Sequence, residues 1–173
     1  MTSAKLLGIT ISADRKWDTH IGNIISKANQ RIFMLCQLMK RGVGAADLIR
    51  IYKSAIRPIL EYACQVWHSA LTAKLTQDLE LVQKRALCIA HGPGGYYQQL
   101  AMSGLPSLSD RRLELCRAFY TMMKDPHHRL HHLIPTNRVT NYELRSYRSL
   151  PVPRARTDRF KNSFVPWCVA RFG

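Results

Sequence analysis

Three stretches of the chain repeat apolar residues at helical spacing, and this pattern constrains the fold more than any other feature. The first begins after Trp17, keeps its spacing for more than four turns and ends at 41–42. The second starts near Ala45, and the third covers 73–91 before GPGG at 92–95 stops it. The pattern predicts a mainly α-helical chain that forms a small helical bundle.

The second helical stretch carries a proline inside its apolar pattern. Pro58 lies in RPILEYACQVW at 57–67, and a proline there removes a backbone donor and clashes with the preceding turn. We therefore expect a kink or break at Pro58, with the apolar pattern resuming through Trp67. A fourth helix is expected to start within SGLPSLSDRR (103–112) and to run to about Met123.

The two ends of the chain lack a long helical pattern. LLGITIS at 6–12 predicts one short β-strand or half of a hairpin, for which the rest of the sequence offers almost no partner. Prolines, histidines and arginines dominate 125–161, which predicts an irregular basic tail, with one short helix possible within 162–172. The expected segments are a strand and turn over 1–16, a helical bundle over 17–124 and a tail over 125–173.

The charge of the chain favours a polyanionic partner. Of its 173 residues, 26 are Lys or Arg and 11 are Asp or Glu, which gives a net charge of +15. The surplus is +7 over 1–60, +1 over 61–120 and +7 over 121–173. Because neutralising phosphates releases counterions, nucleic acid is the first expected partner. An acidic membrane surface is the second expected partner. The simplest alternative is a basic protein that binds no polyanion.

The cysteines and the hydropathy pattern predict an intracellular protein outside the membrane. Five cysteines are scattered along the chain, an odd number without the spacing of a disulfide framework, so reduced thiols are expected. No apolar run reaches the length of a membrane span, and the N-terminus lacks the apolar stretch of a signal peptide.

Catalytic and metal-binding patterns are weak in this sequence. The acidic residues are dispersed with no two adjacent, and no glycine loop matches a phosphate cradle, so carboxylate-based catalysis is not expected. Cys64 with His68 and Cys88 with His91 have helical spacing, which leaves a structural zinc site as an open alternative. No cofactor and no metal are predicted for this chain.

The basic residues recur on helix faces. Lys27 and Arg31 are four residues apart on the first helix, and Lys40 and Arg41 stand at its end. The second helix carries a row of three basic residues, namely Arg50, Lys53 and Arg57. Two helices that are apolar on one side and basic on the other predict a cationic groove, although solvated basic faces are the simpler alternative. No arrangement of base-reading side chains is evident, so low sequence specificity is expected.

The order of several short motifs resembles one protein family. The chain is similar to the region downstream of the catalytic palm in reverse transcriptases of non-LTR retrotransposons of the jockey and LINE type. RPILEYA followed by VWH, with QKRA at the right distance, is the most specific part. The motifs in order are LLGITIS with W and HI (6–21), KAN (27–29), YKSAIRPILEYACQVWHSAL (52–71), LELVQKRAL (79–87), GLPSL with RR (104–112) and RTDRFKNSFVPWCVARF (156–172).

The resemblance implies a thumb region without the polymerase centre. It assigns Leu6, Leu7 and Gly8 to the hairpin that grips the primer end, and the following helices to the thumb that holds template and primer. The matching thumb positions are Lys53, Arg57, Pro58, Glu61, Tyr62, Trp67, Gln83, Lys84, Arg85 and Ala86. The family's paired-aspartate motif is absent from these residues, so this chain is not expected to polymerise. Only the whole family enzyme would use Mg²⁺ and deoxynucleotides.

Two further implications come with the resemblance. A nuclear location is implied by the family, and a chain that starts just before the primer-grip segment resembles a truncated copy of such an element. Non-sequence-specific binding of template–primer duplex is the expected activity. The alternatives are a protein-interaction module, contacting the missing palm or another protein, and a non-functional remnant. A zinc-dependent DNA-binding domain is a further alternative, which fewer features of the sequence favour.

Overall fold

The structure, a computed structural model, describes residues 3–14, 16–136 and 150–173. Its residues fall into two compact units. The first unit combines Met1–Cys64 with Leu71–Arg112, and the second combines Gln65–Ala70 with Leu113–Gly173. Each unit is described by itself.

A β-hairpin opens the first unit. Strands β1 (Ser3–Leu6) and β2 (Ile9–Ser12) pair in antiparallel register, with Leu6 opposite Ile9. The two residues between them, Leu7 and Gly8, both have positive φ angles (46° and 84°), as the tightest hairpin turns require. The segment is therefore half of a hairpin, one of the two expected forms. The expectation that the sequence offers almost no partner was wrong, because LLGITIS supplies the turn and pairs with the residues before it.

Helix α1 (Asp18–Lys40) is the long element against which the rest of the first unit packs. The residues that it buries recur at helical spacing, as the sequence predicts. The chain then turns through Gly42, whose φ is +82°, into α2 (Ala45–Ile51). The buried positions of α1 are His20, Ile21, Ile24, Ala28, Ile32 and Leu35.

The interruption expected at Pro58 takes the form of a π-helical segment. Tyr52–Ile56 is π-helical, and α3 (Arg57–Glu61) follows it with Pro58 in its first turn, the position in a helix that tolerates proline best. The helical path thus continues past Pro58 and ends at Tyr62, beyond which Ala63 has a φ of +51°. Short helix α4 covers Cys64–Trp67, and a 3₁₀ turn covers His68–Ala70.

Helix α5 (Ala73–His91) matches the predicted span and packs against α1 and α2. Its N-cap is Thr72, whose hydroxyl accepts the Leu75 N–H, and Gly92 follows its last residue. A further helix, α6 (Tyr96–Ser103), was not predicted. The fourth predicted helix is α7 (Leu108–Met123).

The second unit has its own small apolar core. It contains the C-terminal part of α7, a 3₁₀ turn at His131–Leu133 and helices α8 (Asp158–Lys161) and α9 (Phe164–Phe172). The possible terminal helix is therefore present as α9. The expectation of an irregular tail lies partly outside the described residues, at 137–149. The core consists of Tyr120, Leu150, Cys168 and Val169, with Ile134, Phe164, Val165, Trp167 and Phe172 packed against it.

The prediction of a mainly helical fold with β structure at its start is confirmed. Within the described residues, no helix is both long and apolar enough to cross a bilayer.

Candidate nucleic-acid interface

A cleft of about 490 Å³ lies between α1 and the segment that runs from the π helix through α3. Lys27 and Arg31 line it from α1, and Tyr62 and Gly8 line its end at the hairpin. The remaining lining residues are Ile24, Gln30, Ser54, Ala55, Pro58 and Ile59. Two cations and no carboxylate thus border the cleft, which suits an anionic ligand.

Arg31 has a structural contact as well as a position in the cleft. Its Nη1 donates to the backbone carbonyl of Ala55 at 2.7 Å, within the π segment. Carbonyls near a proline and a π turn lose their ordinary helical partners, so a guanidinium is a suitable replacement donor. An arginine has further N–H groups, and Arg31 is exposed, so donors remain for a second acceptor in the cleft.

Lys27 is also exposed, and neither Lys27 nor Arg31 takes part in an ion pair in the described part of the chain. Lys27 lies one turn before Arg31 on the same side of α1. Between residues 19 and 40 this helix carries no Asp or Glu. The positive potential of α1 is therefore not neutralised along its own length. Lys40 and Arg41 add two exposed cations where the helix ends.

The basic row predicted on the second helix does not form one free cationic surface. Arg50 is paired with Asp47 at 3.2 Å on the exposed side of α2. Arg57 is mostly buried and its Nε lies 3.2 Å from a carboxylate oxygen of Glu61. Lys53, in the π segment between them, is exposed and has no ion pair among the described residues. The wider turn of the π segment also changes the angular spacing that an α-helix would give the row.

Two arginine side chains approach the carboxylate of Glu61. Besides Arg57, Arg111 approaches the same carboxylate oxygen of Glu61 at 3.7 Å. Burial raises the pKa of Glu61 above its ordinary value, and the charges of Arg57, Arg111 and Arg112 oppose that rise. The contact between Arg57 and Glu61 anchors the end of α3. We therefore regard Arg57 as a packing residue first.

Arg85 and Lys84 lie exposed on α5. Arg85 donates from Nη1 to the side-chain oxygen of Asn29 at 3.0 Å, which links α5 to α1 on a surface that solvent reaches. Lys84 has no ion pair in the described ranges. Asn29 was not among the residues singled out from the sequence, because only the tertiary contact reveals it.

The hairpin turn is tied to the RPILEY motif. Tyr62 donates its hydroxyl to the backbone carbonyl of Leu7 at 2.9 Å, and its ring lies against Gly8, where an added Cβ would be 3.4 Å from the ring. Leu6 and Leu7 point away from the core, with 61% and 82% of their surface exposed. Of the three residues that the family resemblance singled out, Gly8 therefore lines the cleft, whereas the side chains of Leu6 and Leu7 lie in solvent.

A buried polar network on α5 was missed from the sequence. Tyr52 donates to the side-chain oxygen of Gln83 at 2.7 Å, and Gln83 in turn donates to the Tyr96 hydroxyl and the Pro106 carbonyl. Tyr96 donates to Glu80, whose carboxylate also accepts the first N–H groups of α7. Burial is the main cause that raises the pKa values of Tyr52 and Tyr96. Every group here has a partner, so the network holds α5, α6 and α7 together.

The possible metal ligands do not assemble in the described part of the chain, where no group of three or more His, Cys, Asp or Glu residues is placed to hold an ion. The five cysteines are free, and three of them are buried. His91, one of the four residues considered for zinc, contacts the Ser103 hydroxyl at 2.7 Å instead.

Comparison with protein-family models, with curated proteins and with solved structures gave no match.

Proposed function

We propose that this chain binds nucleic acid without sequence specificity, as a thumb-like region similar to those of non-LTR retrotransposon reverse transcriptases. The observation that carries the proposal is the cleft beside α1, where Lys27 and Arg31 face a wall without carboxylates. A backbone phosphate is the ligand that two cations in such a cleft suit best. The net charge of +15 adds long-range attraction for the same ligand.

The family resemblance suggests how the nucleic acid would lie on the chain. The motif residues Gly8, Pro58 and Tyr62 meet at one end of the cleft, where the hairpin turn is tied to α3. In the proposed arrangement a template–primer duplex lies along α1 with its backbone in the cleft. The chain would act as a holding surface, with no catalytic step of its own, and a nuclear location is proposed with it.

Fluorescence anisotropy with a labelled RNA–DNA duplex across a salt series tests the proposal. Lys27→Glu is the informative variant, because Lys27 is exposed and makes no ion pair within the described residues. Loss of one phosphate contact is expected to weaken binding and to reduce the slope of log K against log salt by about 1. Lys74→Glu is the matched control, since Lys74 is an exposed lysine on α5 outside the cleft.

Equal losses of affinity in both variants would show a general charge effect, and the cleft would then have no special role. An unchanged affinity in Lys27→Glu would contradict the proposal directly.

A second candidate is a protein-interaction module, and the exposed hairpin favours it. All four residues of β1 are exposed, Leu6 among them, and Leu7 places a second leucine in solvent directly after the strand. An edge strand with exposed apolar residues is a suitable surface for another protein. Binding to a protein partner that is insensitive to salt, and lost in Leu7→Asp, would favour this candidate over nucleic acid.

A further inference from the structure

Phe33 is an exposed aromatic residue on the outer face of α1. Its surface is 66% exposed, although a phenylalanine on a helix of this length would ordinarily contribute to the core. Burial of a large aromatic surface is favourable, so an exposed ring gains free energy when a flat partner covers it.

The residues that share a face with Phe33 are polar or basic. Asn29 and Gln30 precede it by four and three residues, and Gln37 and Lys40 follow it by four and seven, which places them all on one side of the helix. Cys36, three residues after Phe33, is partly accessible on the same side. The face therefore carries amide groups, one thiol and one cation around the ring, and no carboxylate.

Two cations lie on or beside this face. Lys40 is on it, and Arg85 reaches across from α5 to Asn29 at 3.0 Å. Lys27 and Arg31 lie further around α1, where they line the cleft against the π segment. Phe33 therefore has cations on its own face and further cations on the neighbouring one, so a polyanion with flat apolar groups is a good match.

We propose that Phe33 is a stacking platform for an unpaired base, and that the outer face of α1 binds single-stranded nucleic acid. Aromatic side chains next to a basic track are how proteins hold single strands without reading their sequence. A paired duplex hides the faces of its bases and offers only phosphates to this surface. The inference rests on the proposed function: the duplex backbone lies in the cleft beside Lys27 and Arg31, and the unpaired strand is the part of the nucleic acid that the face around Phe33 contacts.

Anisotropy with three labelled ligands of about 12 nucleotides or base pairs tests the inference: an oligothymidine, an abasic strand of equal charge and a blunt duplex. Phe33→Leu is expected to weaken binding of the oligothymidine by between roughly 5- and 100-fold. The abasic strand has no base to stack, so its affinity should be the same in both proteins. Phe33→Trp should bind the oligothymidine at least as tightly as the natural chain does.

Tyr97→Leu is the matched control, because Tyr97 is 83% exposed and lies on α6, a helix without Lys or Arg. It should leave the affinity for all three ligands unchanged. Circular dichroism of Phe33→Leu checks that the fold is intact, as expected for an exposed position. An RNA strand of the same length, oligouridine, tests whether the sugar matters.

The outcomes separate the inference from the proposed function. Equal losses for the oligothymidine and the abasic strand in Phe33→Leu, or no loss for either, would overturn the stacking role. If the duplex still binds and depends on Lys27, the proposed function survives that result. If none of the three ligands binds the natural chain, both are wrong.

Discussion

His20 joins the hairpin to α1 through a buried contact. It is 1% exposed, and its Nδ1 accepts the backbone N–H of Thr10 at 3.2 Å, which requires that nitrogen to be unprotonated. Burial lowers the pKa of His20 below 6.5, and the nearby charge of Lys27 lowers it further. The folded protein therefore holds this histidine neutral under conditions in which an unfolded chain begins to protonate it.

We expect stability to fall on mild acidification because of this residue. The unfolded state takes up the proton near pH 6.5, and the folded state does so only at lower pH, so the free energy of unfolding decreases as pH falls between the two values. Urea unfolding measured between about pH 7.5 and 5 should show the decrease, and His20→Asn, which keeps an acceptor without titrating, should reduce it. His127→Gln, at an exposed position, is the control. An identical pH dependence in His20→Asn would contradict the assignment.

Glu80 acts as an anchor for the start of α7. Its two carboxylate oxygens accept the N–H groups of Leu108 and Ser109 at 3.0 and 3.2 Å, and the Tyr96 hydroxyl also donates to it. Loss of these charge-assisted bonds in Glu80→Ala is expected to cost about 2–4 kcal/mol of unfolding free energy. Asp110→Ala, at an exposed carboxylate whose contact is to the nearby Ser107 hydroxyl, should cost about 1 kcal/mol or less. Equal costs by chemical denaturation would show that Glu80 has no anchoring role.

At the scale of the element, the hairpin depends on its contacts with the helices. A two-stranded hairpin alone is marginally stable in water, and here it is held by Tyr62 at the turn and by His20 and Asn23 at β2. Leu7 also occupies a left-handed conformation, which is unfavourable for a residue other than glycine. The hairpin should therefore open locally before the helices do.

Removing the contact at the turn should loosen the hairpin alone. In Tyr62→Phe the Leu7 carbonyl loses its donor, and we expect a loss of about 1 kcal/mol that is confined to the hairpin. Hydrogen exchange should be about five-fold faster at the hairpin amides and unchanged in α5. Tyr97→Phe, at an exposed hydroxyl on α6, is the matched control. Faster exchange throughout the first unit would show that Tyr62 supports more than the hairpin.

The elements that the sequence predicts well are those whose burial follows one simple period. The approximate span predicted for helix α5 matches the structure, because its buried positions recur regularly between Thr72 and the glycines after His91. The hairpin partner was missed because a Leu-Gly turn lacks the usual Asn-Gly signal. The π segment inserts one extra residue per turn, which changes no residue type and leaves no compositional trace. Helix α6 is only eight residues long, too short for a clear period.

The sequence reveals the parts of the site that lie on a single helix. Spacing alone brings Lys27 and Arg31 to one side of α1, and both line the cleft. The spacing of four residues between Arg57 and Glu61 is also one that allows their ion pair on a helix. The contacts of Arg31 with Ala55 and of Arg85 with Asn29 depend on how helices meet, so no local pattern could show them.

At the scale of the whole molecule, the net charge of +15 opposes folding as well as attracting a polyanion. Eleven Asp and Glu cannot pair one to one with 26 Lys and Arg, so more than half of the basic side chains must be neutralised by solvent ions. Like charges repel more strongly in the compact state than in the extended chain. The structure is therefore expected to be more stable where the charge is screened.

This self-repulsion predicts that the melting temperature rises with salt. Between about 0.1 M and 1 M sodium chloride the screening length shortens from roughly 10 Å to 3 Å, which weakens repulsion between surface cations. The double variant Lys53→Glu/Lys74→Glu lowers the charge by two at each site and the net charge from +15 to +11. The melting temperature of this variant should therefore rise less over the same range of salt. A melting temperature that falls with salt in the natural chain would mean that ion pairs such as Arg57–Glu61 outweigh the repulsion.

Inorganic polyphosphate should raise the melting temperature at concentrations far below those of the simple salt, because it binds the folded cationic surface as a multivalent ligand.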